Sequence, residues 1–374
     1  MDFIDLKSQQ ARLKQIIDQN LSDVLRSGAY IMGPQVGELE QKLATYMGAE
    51  YALSCANGTD ALLLPMMAWQ IGPGDAVFCP SFTYCASAEA IALIGATPVF
   101  VDVEKDTFNI CPASLEKAIA DITDNSALTP RAVMVVDLFG QSADYPRLAP
   151  IARAAGLKIL SDSAQAFGTT LDGNHPLHWC DAATTSFYPA KPLGCYGDGG
   201  AVFTNESALA NAIKSIRNHG QGTDKYDNVR IGLNSRLDTI QAAILLAKLT
   251  IFDDELKIRN AIAERYSAAF ENQRILAPIV PSNIKSSWAQ YTVCVENPDH
   301  FASTLRDAGI PTARYYPTPI HMQTAYKSYP VAPGGLPNTE HLMQRVISLP
   351  MHAYLTEDQQ DRIIEASLGA VGQS

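Results

Sequence analysis

The sequence predicts an α/β protein, a mostly parallel sheet covered by helices on both faces, followed by a smaller α+β unit. Three observations carry this. Short, nearly continuous apolar runs, of which 132–136 is the clearest, alternate with stretches of helical spacing from about Val36 onward. Strands buried on both faces read this way. The chain has 374 residues, too many for one minimal core. Its hydrophobic share is 47% and its charged share 18%, the latter below the roughly 25% usual for folded domains.

Residues 37–47 have helical spacing, and 51–55 form a short strand. A helix follows over 59–69, with Asp60 in its first turn, where a negative charge suits the helix dipole. Pro65 is expected to kink it. Residues 76–79 read as a strand, 87–94 as a helix and 98–103 as a strand. The run 132–136 is a buried strand, 148–155 a helix, 157–160 a strand and 182–187 another strand. A second unit begins near Leu237, with a helix at 239–248 leading into a charged helix at 253–271. A strand at 288–295, a helix at 299–308 and a strand at 312–316 complete it. The expected division is a large domain over 13–236 and a small one over 237–374, joined by the N-terminal segment 1–12.

Charge and composition exclude several functions. A formal net charge of −11 argues against a nucleic-acid partner or an anionic membrane surface. No apolar stretch approaches transmembrane length, so membrane insertion is not expected. The segment Met1-Asp2-Phe3-Ile4-Asp5-Leu6-Lys7 has no basic region or apolar run, so no signal peptide is expected. The seven cysteines are odd in number and form no paired motif, which suits reduced thiols in the cytoplasm. His175, His178 and Cys180 lie close together but beside Asn174 and Pro176 in a loop without a fourth ligand, so no metal site is expected.

Four segments could carry chemistry, and all fall at expected strand ends, where open α/β sheets bind ligands. In Ser186-Phe187-Tyr188-Pro189-Ala190-Lys191-Pro192, two prolines hold a lysine at a strand end. An amine fixed in this way can form a Schiff base, which would make the protein a pyridoxal phosphate enzyme. In Ser54-Cys55-Ala56-Asn57-Gly58-Thr59, a strand gives way to a helix whose free N–H groups suit a phosphate, with Gly58 permitting close approach. In Pro80-Ser81-Phe82-Thr83-Tyr84, Tyr84 could stack on a flat heteroaromatic ring. Asp162 follows the strand 157–160 and could keep a pyridine nitrogen protonated, with Gln165 bonding a ring hydroxyl. Each has a plainer reading. Lys191 could be an ordinary loop lysine, Asn57 and Asp162 helix caps, and Phe82 and Tyr84 core aromatics.

Together these segments resemble the sugar aminotransferases of the DegT/DnrJ/StrS family, which have the fold type I, aspartate-aminotransferase-like architecture. The resemblance covers nearly the whole chain. It includes Phe3-Ile4-Asp5-Leu6, Gly33-Pro34, Asn57-Gly58-Thr59-Asp60-Ala61-Leu62 and Pro80-Ser81-Phe82-Thr83. It continues through Asp162-Ser163-Ala164-Gln165-Ala166 and Ser186-Phe187-Tyr188-Pro189-Ala190-Lys191. It ends with Tyr316-Pro317-Thr318-Pro319-Ile320-His321 and Leu349-Pro350-Met351-His352.

The resemblance implies pyridoxal 5'-phosphate as cofactor and two catalytic residues, Lys191 as the Schiff-base lysine and Asp162 as the ring-nitrogen partner. It implies that Gln165 meets the ring hydroxyl and that Gly58, Thr59 and Ser186 hold the phosphate. Asn234 would cross a homodimer interface to that phosphate. Tyr315, Tyr316 and His321 would contact the sugar nucleotide. Ser163 stands where the family usually carries alanine. The segment 186–200 is most similar to members that move an amino group from glutamate to C3 of UDP-linked 2-acetamido-3-keto-glucuronic acid, for bacterial surface polysaccharide (O-antigen) synthesis. Arg236, Arg230 or Arg314 could then meet the uronate carboxylate. The alternative is C4 amination of a UDP- or dTDP-4-keto-6-deoxy sugar.

Three rivals are less well supported. Family dehydratases replace the lysine by histidine, whereas Lys191 is present. A nicotinamide dehydrogenase would need a Gly-x-Gly-x-x-Gly turn between strand and helix, which is missing. A non-catalytic regulatory protein on the same fold would not need the whole cofactor set.

Overall fold

The computed structural model describes residues 1–224 and 226–372. Its strands are β1 (Tyr51–Cys55), β2 (Asp75–Pro80), β3 (Thr97–Val101), β4 (Thr129–Val136), β5 (Lys158–Asp162) and β6 (Thr170–Leu171). They continue with β7 (Ala182–Ser186), β8 (Gly200–Thr204), β9 (Ile284–Lys285), β10 (Tyr291–Cys294) and β11 (Val346–Leu349). Seven of them form the central sheet, in the order β1-β8-β7-β5-β4-β2-β3. The pairs β2–β3, β2–β4, β4–β5 and β5–β7 are parallel. Strand β8 runs antiparallel to both β7 and β1. The other six strands therefore point one way, and their carboxyl ends share one edge.

Helices cover the sheet because its strands are apolar on both faces, and β7 and β8 are buried at every position. The helix Gly58–Ala68 packs on β1, β7 and β8, while Pro34–Met47 packs on β1. Pro65 stays inside its helix and is buried there. A second group of buried side chains, including Leu39, Phe167, Phe187, Phe203, Leu245 and Phe252, fills the opposite face. The helix Thr239–Leu249 belongs to this layer and also packs on the long first helix, Leu6–Ser27. That first helix starts at Asp5, whose carboxylate accepts the Ser8 N–H at 2.9 Å, and ends at Gly28 in the left-handed conformation.

A separate core joins the helices Phe252–Phe270, Pro298–Asp307 and Glu357–Gly372 to the antiparallel pair β10–β11. The strand expected at 312–316 does not form. Only Ala313 pairs, with Ser348. Pro311, Pro317 and Pro319 supply no N–H for a ladder, and the segment instead crosses to the large sheet, where the Ile320 N–H meets the Ser81 carbonyl at 3.0 Å. The strand expected at 288–295 is shorter, because Trp288 adopts a positive φ of 48° ahead of β10. Among the described residues, no helix is long and apolar enough to cross a membrane.

Candidate active site

Five segments meet at the shared carboxyl edge. The first is the exit of β1. Asn57 caps the helix Gly58–Ala68 by accepting the Asp60 N–H at 2.8 Å, leaving the first helical N–H groups for a ligand. Asn57 is therefore a helix cap, and capping does not conflict with an anion held at Gly58 and Thr59. The helix start lies against the end of β7. A Cβ on Gly58 would fall 2.6 Å from Cβ of Ser186. Only glycine allows this contact, which sets the helix start at Gly58 directly against Ser186.

The second segment follows β2. Phe82 is fully buried, whereas Tyr84 is 58% exposed. Phe82 is thus a core aromatic and Tyr84 is not. The Tyr84 ring lies 6.5 Å from that of Tyr316. The third segment is the end of β5. The Asp162 carboxylate is buried and accepts from Ser87 Oγ at 2.9 Å and from the Ala164 N–H at 3.2 Å. No helix begins there, so Asp162 is not a cap. Burial pushes its carboxyl up, while these donors and the charge of Lys191 oppose that shift.

Gln165 is committed on both sides. Its Oε1 accepts the Phe139 N–H at 2.6 Å, and its Nε2 donates to Tyr316 Oη at 3.1 Å. The fourth segment is the loop after β7, which carries Lys191. The loop is closed by Cys195 N–H to the Phe187 carbonyl at 2.7 Å and by Lys191 N–H to the Tyr188 carbonyl at 2.9 Å. Gln241 holds it from outside, accepting the Tyr196 N–H at 2.9 Å. Lys191 keeps some exposure, yet the protein crowds its amine and burial pushes that amine down from its ordinary value, against the pull of Asp162. Among the described residues, no hydrogen bond engages it. Desolvation makes an amine more often neutral, and so more available as a base and nucleophile, than a surface lysine, while a nearby carboxylate acts the other way.

The fifth segment is the crossing chain 315–321. Tyr316 is half-buried beside Gln165, and Tyr315 packs edge-on to Tyr316 at 5.7 Å between ring centroids. His321 Nδ1 lies 2.7 Å from Ser81 Oγ, and its Nε2 is 3.6 Å from Glu340. Burial pushes the imidazole down, with Glu340 opposing.

Other residues lie apart. Asn234 is exposed and bonds to Arg236, and among the described residues no hydrogen bond joins it to Gly58, Thr59 or Ser186. Arg314 pairs with Asp299 at 3.1 Å and with the Met343 carbonyl at 2.8 Å, and its Nε is buried without a partner. Arg230 is exposed, and Arg236 keeps a buried Nε without a partner. His175 Nδ1 is 2.9 Å from the Thr169 carbonyl, and His178 packs edge-on against Trp179.

Sequence reasoning missed Ser87, Phe139 and Asp137. Ser87 sits inside a helix with no local signal. Asp137 follows the strand 132–136 and could have been found by the same strand-end argument that found Asp162.

The model of the DegT/DnrJ/EryC1/StrS aminotransferase family matches residues 11–367. The UDP-2-acetamido-2-deoxy-3-oxo-D-glucuronate aminotransferase of Pseudomonas aeruginosa is 46% identical over 355 residues, covering 95% of this chain and 96% of its own. The crystal structure of a DegT DnrJ EryC1 StrS aminotransferase from Brucella abortus superposes with a TM-score of 0.98 at 51% identity, covering 100% of both chains. Spr1654 from Streptococcus pneumoniae, in a PLP-form, superposes with a TM-score of 0.87 at 27% identity, covering 96% of each chain. With its seven-stranded sheet and the lysine, carboxylate and helix start gathered at one edge, the chain belongs to the DegT/DnrJ/EryC1/StrS aminotransferase family.

Proposed function

We propose that this chain is a pyridoxal phosphate-dependent aminotransferase that moves an amino group from glutamate to C3 of a nucleotide-linked keto sugar of the UDP-2-acetamido-3-keto-glucuronate type. The observation that carries the chemistry is the meeting of Lys191, Asp162 and the Gly58–Ser186 contact at one sheet edge. The name of the Pseudomonas relative supports the sugar.

The residues present fit the cofactor. Gly58, Thr59 and Ser186 would hold its phosphate in a cradle that a side chain at residue 58 would fill. Asp162 would hold the proton of the ring nitrogen, Gln165 would meet the ring hydroxyl, and the exposed face of Tyr84 would cover the ring. When bound, the cofactor supplies an electron sink for the carbanion formed at the amine carbon. The protein's task is then positioning and proton transfer. Asp162 has few conformations open to it, because Ser87 and the Ala164 N–H hold both carboxylate oxygens. Lys191 Nζ, with its amine pushed down by burial, takes a proton from the amino-bearing carbon and returns it on the other side of the transfer. Tyr315, Tyr316 and His321, on the chain that crosses to this edge, would orient the sugar nucleotide. Arg236 is the cation we assign to the uronate carboxylate.

Asn234 is exposed and, among the described residues, no hydrogen bond joins it to Gly58, Thr59 or Ser186, so we assign it to the phosphate site of a second copy in a homodimer. The test is an assay with glutamate and both keto sugars. Turnover of the 3-keto uronate is expected, and exclusive turnover of a 4-keto-6-deoxy sugar would replace the C3 assignment with C4. Sedimentation giving only monomers would remove the role of Asn234.

A further inference from the structure

Asp137 follows β4 directly and is a second carboxylate fully buried at the active edge. Its bonds to β5 are unusually concentrated. Its backbone N–H donates to the Asp162 carbonyl at 3.1 Å. Its Oδ2 accepts from Ser161 Oγ at 2.8 Å and from Ser163 Oγ at 2.7 Å. Those two hydroxyls are themselves 2.7 Å apart. Asp137 thus grips three consecutive residues, 161 to 163. Side chains alternate along a strand, so Ser161 and Ser163 face Asp137 while the Asp162 carboxylate faces the opposite way, toward Ser87.

The other partners of Asp137 tie down the loop beyond it. Tyr145 Oη donates to Oδ2 at 2.9 Å, and the Ala143 N–H donates to Oδ1 at 2.9 Å. Within that loop, Phe139 sits in the left-handed conformation, with φ 60° and ψ 8°, and its N–H meets Gln165. Burial pushes the Asp137 carboxyl up to about 6, and the donors from Ala143, Ser163, Ser161 and Tyr145 oppose that shift.

We propose that Asp137 is a positioning residue, which fixes the direction of the Asp162 carboxylate through Ser161, Ser163 and the Asp162 backbone, and that of Gln165 through Phe139. The inference rests on the roles given above to Asp162 and Gln165. A hydrogen-bonded network of this kind acts as a unit, so its members should couple.

The test uses Asp162→Asn, Ser163→Ala, Asp137→Asn and the Ser163→Ala/Asp137→Asn double variant. Four quantities are measured: affinity for pyridoxal phosphate, the pH midpoint of its visible absorption when bound, kcat, and KM for glutamate. Asp162→Asn is expected to move the midpoint. Ser163→Ala should move it in the same direction and lower kcat by about threefold to tenfold, with KM changed by less than about twofold. Asp137→Asn should lower kcat by about tenfold to a hundredfold, the range seen when supporting partners of a site are removed. Adding Ser163→Ala to Asp137→Asn should then change nothing further. A Ser163→Ala protein with the native midpoint and kcat would overturn the proposal, as would independent, multiplying effects in the double variant. If Asp137→Asn does not fold, Ser163→Ala decides alone. If Asp162→Asn leaves the midpoint and the affinity unchanged, the role of Asp162 itself is wrong and the proposal falls with it.

Discussion

Gly58→Ala isolates the cradle at the start of its helix. The added Cβ would lie 2.6 Å from Ser186 Cβ and 2.9 Å from its Oγ. Carbon atoms pack at about 3.5–4.0 Å, so the helix start must retreat by about 1 Å. Ser186 cannot yield, because it sits in β7 between β5 and β8 and pairs in register with Gly200. Overpacking of this kind costs roughly 1–3 kcal/mol, and the gain from replacing a helical glycine offsets roughly 0.5–1 kcal/mol of it. A net loss of roughly 1–2 kcal/mol is expected without cofactor. The larger effect falls on binding, since the N–H groups of the helix start are displaced with it. Affinity for pyridoxal phosphate should drop by about tenfold to a hundredfold, in keeping with the sensitivity of such sites to a shift of about 1 Å. The assay is an absorbance titration of the cofactor into the apoprotein, alongside thermal unfolding of the apoprotein. Gly37→Ala is the control, because a Cβ there meets nothing within 4 Å and should stabilise its helix slightly. A Gly58→Ala protein with native affinity would refute the assignment of the phosphate to this cradle.

Three further outcomes are expected. Lys191→Ala should reduce transamination by at least about a hundredfold, the lower bound for losing a positioned base, while circular dichroism stays native. Arg236→Met should raise KM for the uronate sugar nucleotide, whereas Arg314→Met, whose guanidinium is already engaged by Asp299 and Met343, should change it by less than about threefold. Asp181 is buried, which pushes its carboxyl up, but the Ile159 N–H at 2.8 Å and the salt bridges of Lys158 and Arg153, each 2.9 Å, outweigh this and hold it below 3.8. A depressed carboxyl contributes stability that is complete above the unfolded value and is lost as pH falls through the folded one. Asp181→Asn should therefore cost roughly 1–3 kcal/mol near neutral pH, and the gap to the native protein should close below about pH 3.8, as read from urea midpoints across pH.

Much of the active edge was legible because its signals are local. The strand ending at Cys55, the cap Asn57 and the helix after it follow from a change of period and a turn within a few residues. The same holds for Asp162 at the end of β5 and for Lys191 between its prolines. The antiparallel β8 was not read, since nothing in Gly200–Thr204 distinguishes the direction of a buried strand. The strand expected at 312–316 failed because its alternation resembles pairing, while its destination is a docking contact on Ser81.

The residue types at the carboxyl ends of the strands, among them the lysine, the acid and the capped helix start, could be read from the sequence alone. Those features are written in neighbouring residues, where backbone preference and hydrophobic period act. Packing between distant segments set Ser87 against Asp162 across 75 positions of sequence, Asp137 against β5, Tyr84 toward solvent with Phe82 in the core, and Arg314 against Asp299. Each of those facts is a contact or an exposure set by packing between distant segments, and no local pattern records it.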